Sequence, residues 1–200
     1  MNTKSISYPI IFMVALTAIT VLLLALLNQT TLARVQENQE LDLRRKILYV
    51  FDLYEDGVTT DEEVSQIFEE RIEENTDSEN RIIYTLSENG EPIAHAVPFN
   101  GPGLWGSITG YIGVDADMEN FTAVEFIEQN ETPGLGGRIS ETPYKEQFRG
   151  VPIPEGGNYI VNRPAEGGNI DAVTGATQTS TYVQNMINED LEQFVEQGGY

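Results

Sequence analysis

Arg81-Ile-Ile-Tyr-Thr-Leu86 and Pro92-Ile-Ala-His-Ala-Val-Pro-Phe99, joined across Asn89-Gly90, decide the fold. Both runs are rich in β-branched and aromatic residues, which suit a pleated, half-buried surface. Asn-Gly supplies two neighbouring positions that tolerate positive φ, as a tight hairpin turn demands. A second pair of strand-like runs follows, Ser107 to Val114 and Phe121 to Glu128, separated by an acidic turn. On the N-terminal side Thr60-Asp-Glu-Glu63 is a capping-box pattern, and Val64, Ile67, Phe68 and Ile72 follow at helical spacing, so a helix is expected over Asp61 to Asn75. On the C-terminal side Val183, Met186, Ile187, Leu191, Phe194 and Val195 form the stripe of a helix packing one face on a core, expected from about Thr179 to Gln197. A short helix behind Pro143, Tyr144 to Phe148, and a last strand, Tyr159 to Val161, complete the reading. Hairpins in the middle and helices toward both ends predict an α+β domain, an antiparallel sheet with flanking helices.

Ahead of this domain, Tyr8 to Leu27 carries no charge. A helix of that length rises about 30 Å, the thickness of bilayer hydrocarbon, so a single transmembrane helix is expected through residues 8–27. A cleaved signal peptide is the rival, but nothing after Leu27 offers a clear small-x-small cleavage site. Residues 30–51, with Leu41, Leu43, Ile47, Leu48 and Phe51 apolar, read as a helix continuing from the span. The expected division is a transmembrane anchor over 1–30 and a soluble domain over 31–200. Lys4 flanks one end of the span and Arg34, Arg44, Arg45 and Lys46 follow the other, so charge alone gives a mixed orientation.

The chain has 32 acidic against 11 basic residues, a net charge of −21, so nucleic acid and anionic surfaces are poor partners. Acidic residues run from Glu37 to Glu196, which favours a surface adapted to high salt over one acidic face matched to a basic partner. With no cysteine and one histidine, His95, the inventory supplies neither a thiolate nor a second imidazole for a transition-metal site, and no hydrolytic triad can be assembled from it. Asp115, Asp117, Glu119 and Asn120 open like a calcium loop, but Asn120 and Phe126 stand where glycine and glutamate are needed, so a polar turn is expected. Gly101-Pro-Gly-Leu-Trp-Gly106 satisfies the dinucleotide fingerprint on paper, yet a strand follows it where that fingerprint needs a helix.

Two stretches carry chemistry. Asp171-Ala-Val-Thr-Gly-Ala-Thr177 places a hydroxyl in a small-residue turn just before the closing helix, where unpaired N–H groups and the helix dipole favour a phosphate. Without that role, Thr174 or Thr177 would be an ordinary N-cap. Glu131-Thr-Pro-Gly-Leu-Gly136 reads either as a plain loop or as glycines that let backbone approach a planar ring. Trp105, the single tryptophan, suits a core or rim aromatic and equally the border of such a ring.

At these residues the chain resembles the FMN-binding domain family of the C subunit of the sodium-translocating NADH:quinone reductase (Nqr) and the G subunit of the Rnf complex. The shared pattern is Asp, a small residue, any residue, Ser/Thr, Gly, Ala, Thr, and every fixed position is met by Asp171, Thr174, Gly175, Ala176 and Thr177. Glu131 to Gly136 matches the family's other recurrent segment, and Gly103-Leu-Trp105 resembles a stretch of the quinone-reductase C subunit. The resemblance implies FMN joined to Thr177 by a phosphoester that a flavin transferase installs. It implies that Asp171 serves recognition by that transferase, that Thr174, Gly175 and Ala176 shape the turn, and that Glu131, Thr132, Leu135 and Gly136, with Trp105, line the ring. It further implies an electron-transfer subunit of an oxidoreductase, its domain outside the cytoplasm of the cell membrane, partnered by other membrane subunits of an ion-translocating redox complex. Two other readings remain open here: a stand-alone extracytoplasmic FMN-dependent reductase and a flavin-free scaffold subunit. Length leans toward the Rnf subunit, while Trp105 and Gly136-Gly137 lean toward the Nqr one.

Overall fold

The computed structural model describes residues 7–154, 156 and 158–198. Its contacts divide the chain into two compact units, one ending at Leu41 and one beginning at Asp42. Helix α1 runs without a break over Ser7–Val50, joining the expected span and the expected juxtamembrane helix into one element. Its N-terminal part is apolar and exposed, with Ile11, Val14, Leu22 and Leu24 all more than half accessible, and it is long and apolar enough to cross a membrane. The last residues of α1 belong to the second unit, where Ile47, Leu48 and Val50 are fully buried.

The second unit is built on five antiparallel strands in sequential order: β1 (Ile72–Thr76), β2 (Ile82–Glu88), β3 (Glu91–Pro102), β4 (Ser107–Asp115) and β5 (Phe121–Glu128). Asn89 and Gly90 both take positive φ, 54° and 85°, so the β2–β3 hairpin turns on the dipeptide the sequence singled out. The β4–β5 connection is the expected polar turn. Asp115 Oδ1 accepts the Glu119 N–H at 2.6 Å and Oδ2 accepts from Asn120 Nδ2 at 3.0 Å.

Alternation along the strands gives the sheet two buried faces. One carries Val97, Phe99, Ile112, Val124 and Phe126 in a core shared with Val183, Met186, Ile187, Leu191 and Phe194 of α4 (Thr177–Glu196). The other carries Tyr84 and Tyr111, edge-on at 5.3 Å between centroids, with Phe68 of α2 (Asp61–Arg71) 5.7 Å from Tyr84. The capping box of α2 closes as expected, Glu63 N donating to Thr60 Oγ1 at 3.3 Å and Thr60 N to Glu63 Oε2 at 2.8 Å. His95 lies on the α4 face beside Phe194, where burial lowers its affinity for a proton.

Two expectations are corrected. Helix α2 stops at Arg71 rather than near Asn75, and Ile72 opens β1, pairing with Leu86. Ile72 fits the helical stripe and an edge strand equally well, and the hydrogen-bonding partner that decides lies fourteen residues away. Tyr159 to Val161 is not a strand. Asparagine side chains take the partner's place: Asn188 Oδ1 accepts from Ile160 N at 2.8 Å, Asn188 Nδ2 donates to Ile160 O at 2.8 Å, and Asn169 Oδ1 accepts from Val161 N at 2.9 Å. The strand begins one residue later as β6 (Asn162–Arg163), parallel to β7 (Ile170–Asp171). Tyr144 falls as expected in a short helical stretch, α3 (Thr142–Lys145) continuing into a 3-10 turn over Glu146–Phe148.

Gly110 lets the sheet close over Phe99. A Cβ there would lie 2.4 Å from both Glu125 O and Phe99 Cζ, neither of which can move without disturbing β5 or the core. Gly110→Ala gains under about 1 kcal/mol from a stiffer unfolded chain, and overpacking costs more. Urea denaturation is therefore expected to show a net loss of about 2 kcal/mol; unchanged stability would contradict this packing.

Candidate functional site

Three separate segments meet at one concavity of about 340 Å3. The first is the β3–β4 turn, closed by Gly103 N donating to Gly106 O at 2.7 Å and presenting Leu104 and Trp105. The Gly101 to Gly106 stretch is thus the end of β3 and a hairpin tip followed by β4, and a strand stands where the dinucleotide fingerprint needs a helix. The second is the loop after β5, in which Thr132 O accepts from Leu135 N at 3.1 Å and Gly137 N at 3.0 Å. This fold-back turns Leu135 outward, 47% exposed, into a 3-10 turn over Gly136–Ser140. The third is the turn into α4, where Ala176 N donates to Val173 O at 2.9 Å and Gly175 takes φ 82°.

Glu131 ties the three together. Its side chain is buried, and Oε1 accepts the N–H groups of Leu104 at 2.7 Å and Trp105 at 3.1 Å, while Oε2 accepts the Thr179 hydroxyl at 2.6 Å. The hairpin tip, the loop and the first turn of α4 are thereby fixed to one carboxyl group. The neighbouring glycines make room for it: a Cβ on Gly103 would lie 2.6 Å from Oε1, and one on Gly136 2.6 Å from Oε2. Gly136→Ala is expected to lower the melting temperature and expose Trp105 further, checked by thermal unfolding and tryptophan quenching; a variant indistinguishable from the parent would refute the role given to Gly136.

Helix α4 begins without a side-chain cap. Its N-cap is Ala176, and Thr177 is the first helical residue, so the N-cap alternative for Thr174 and Thr177 does not hold. The first N–H groups of such a helix carry partial positive charge toward the solvent, and Thr177 is exposed beside them. The wall opposite is apolar, with Leu104, Trp105 and Leu135 at 47%, 69% and 47% exposure. Trp105 is therefore a rim aromatic and not a core one. The concavity joins a positive backbone pole to an apolar wall, the pairing that suits a phosphate carrying an aromatic ring.

Eight of the ten residues singled out from sequence line this cavity: Trp105, Glu131, Thr132, Leu135, Gly136, Gly175, Ala176 and Thr177. Asp171 and Thr174 do not. They border a smaller hollow of about 170 Å3 with Arg138, Glu141 and Gln147, where Asp171 Oδ1 accepts from Arg163 Nη1 at 3.1 Å and its N–H donates to Gln147 Oε1 at 2.8 Å. Leu104, Gln178 and Thr179 line the cavity without having been singled out. Thr179 holds Glu131 from 48 residues away, a pairing no local spacing reveals. A larger cleft of about 1000 Å3 contains Arg45, Lys46, Lys145 and Arg149, but each of these cations is paired with a carboxylate. It is a mixed-charge surface without a free pole for an anion.

The FMN-binding domain family matches residues 103–192, and both recurrent segments lie inside the match. The particular relatives are C subunits of Na(+)-translocating NADH-quinone reductase. That of Vibrio alginolyticus is 29% identical over 139 residues, 66% of this chain and 52% of the relative. That of Pasteurella multocida is 32% identical over 111 residues, 52% of this chain and 42% of the relative. The chain thus spans about half the length of the curated relatives it matches. Among solved structures, the same subunit from Parabacteroides distasonis is 25% identical with a TM-score of 0.66, covering 81% of this chain and 94% of that one. NqrC of Shewanella oneidensis, at 21% identity, a TM-score of 0.66, and coverage of 81% and 98%, shares the fold.

Proposed function

We propose that the chain is a membrane-anchored flavoprotein subunit that carries FMN on Thr177 and relays electrons within an ion-translocating redox complex of the Nqr type. The observation that carries this reading is the convergence of an exposed Thr177 at the uncapped start of α4 with the apolar wall of Leu104, Trp105 and Leu135 around one cavity. At about 340 Å3 the cavity is of ordinary ligand-pocket size, and its pole and wall match the phosphate and ring ends of FMN. The FMN-binding family match over residues 103–192 and the similarity to Nqr C subunits support the same assignment.

The residues divide the work by position. The Thr177 hydroxyl becomes the phosphoester oxygen; the N–H groups at the start of α4 hold the phosphate charge; Gly175 keeps the approach open, with only Leu135 Cδ2 within 3.4 Å of a notional Cβ. Thr132 and Gly136 form the floor, and Leu104, Trp105 and Leu135 cover ring surface. Bound FMN supplies the electron-carrying chemistry, and the protein supplies attachment, orientation and electrostatics. Covalent attachment prevents loss of the cofactor by diffusion outside the cytoplasm. Asp171, outside the cavity lining, serves recognition of the segment by a flavin transferase, and Thr174 shapes the turn. The apolar part of α1 anchors the chain in a single pass, with the domain over 31–200 outside the cytoplasm. A stand-alone reductase would use the same cavity and is distinguished by failure to copurify with other membrane subunits.

The deciding experiment is mass spectrometry of the Thr177 peptide from protein coexpressed with a flavin transferase. A mass increment of FMN less the one water lost in forming the phosphoester is expected on Thr177, and an unmodified residue would overturn the proposal.

A further inference from the structure

Glu131 is a buried acid whose surroundings are built for a negative charge. Only 5% of the residue is exposed. Its two oxygens receive two backbone N–H groups and one hydroxyl, and no salt bridge reaches it among the described residues. Gly103 and Gly136 stand opposite Oε1 and Oε2, at positions where any Cβ would collide with the oxygens. Backbone amides and the first turn of α4 therefore take the part that a lysine or arginine would otherwise play. This arrangement lines the cavity that also holds Thr177 at its mouth. A charge held on a buried side chain acts on its neighbours more strongly than one at the surface.

We propose that Glu131 is the residue that sets the redox poise of this cavity. The proposal rests on the assignment of FMN to Thr177. Electrons taken up by a flavin add negative charge to its ring, and a fixed carboxylate charge in the same cavity opposes that gain. Glu131 therefore holds the midpoint potential low. It acts at a distance and through the two segments it pins, and so is a positioning and electrostatic residue, not a catalytic one.

The test uses the full-length flavinylated protein in detergent, titrated with dithionite against potential indicators at fixed pH. Glu131→Gln keeps the size of the side chain and removes the charge, its amide oxygen still able to accept the Leu104 and Trp105 N–H groups while its NH2 donates to a turned Thr179 hydroxyl; its midpoint potential is expected to rise above that of the parent. Glu131→Asp keeps the charge and is expected to stay nearer the parent than Glu131→Gln does. Thermal unfolding of both variants monitors the purely structural contribution. A Glu131→Gln protein with a lowered melting temperature and an unshifted potential would overturn the proposal. If that variant takes up no flavin, the aspartate form decides: a potential close to the parent supports the proposal, and an upward shift overturns it. Absence of flavin from the parent itself would instead strike at the Thr177 assignment, so the two failures are distinguishable.

Discussion

Thr177→Val is expected to abolish covalently held flavin while leaving the fold intact. Thr177 is exposed at the first position of α4. Its backbone carbonyl accepts from the Thr181 hydroxyl at 2.9 Å, a bond that substitution of the side chain leaves in place. No hydrogen bond within the fold runs through the Thr177 hydroxyl among the described residues. Valine matches threonine in volume and β-branching, and surface changes of this kind move stability by about 0.5 kcal/mol or less. The nucleophilic oxygen, however, is gone, and nothing else in the first turn replaces it: Thr179 is buried and committed to Glu131. Fluorescence of the denatured protein on a gel should fall to background, with melting temperature and circular dichroism unchanged. Retained fluorescence in a folded variant would remove Thr177 from the site.

Arg81→Met should have the largest effect on stability. Arg81 Nε donates to Asp77 Oδ2 at 2.7 Å and Nη2 to Gln193 Oε1 at 3.3 Å, while Nη1 pairs with Asp190, whose other oxygen accepts the Asn100 N–H at 3.0 Å. This joins the β1–β2 turn, α4 and β3. Asp190 is only 5% exposed, and removing one partner of a buried pair costs about 3–5 kcal/mol. The lower figure applies, because the Arg81 side chain is itself about a fifth exposed. Burial pushes the Asp190 carboxyl above its ordinary range, against the opposing hydrogen bond and charge of Arg81 and the Asn100 amide. Without Arg81 that rise deepens. An acid whose folded-state affinity for a proton exceeds its unfolded one contributes stability in acid that is lost as pH rises through the interval. Arg81→Met should therefore lose progressively more stability relative to the parent from about pH 4 upward, and Arg81→Met/Asp190→Asn should recover most of the loss and its pH dependence. Urea midpoints at pH 5 and pH 8 measure both; a pH-independent difference would contradict the coupling of Arg81 to ionisation of the Asp190 carboxyl.

The site illustrates which signals travel along a chain. The turn before α4 was legible because its requirements are local: Gly175 adopts positive φ, small residues surround it, and a helical stripe follows. Trp105 and the Glu131 to Gly136 loop were marked by resemblance, but not for the reason the structure supplies. Gly103 and Gly136 serve the Glu131 carboxylate, and Thr179 holds its second oxygen. Asp171 and Thr174 show the reverse, since sequence grouped them with Thr177 although a two-residue parallel bridge and Gln147 turn them to another hollow.

Amino-acid order alone determined the hairpins, the capping box of α2, the apolar segment at the N-terminus and the stripe of α4, because each depends on residues within one or two turns of chain. Tertiary structure alone decided that Ile72 joins the sheet, that asparagine side chains replace a strand beside Ile160, and that a buried carboxylate gathers three segments into one cavity. Those outcomes rest on hydrogen-bonding partners distant in sequence, and the energy of such a bond exists only once folding has brought its two ends together.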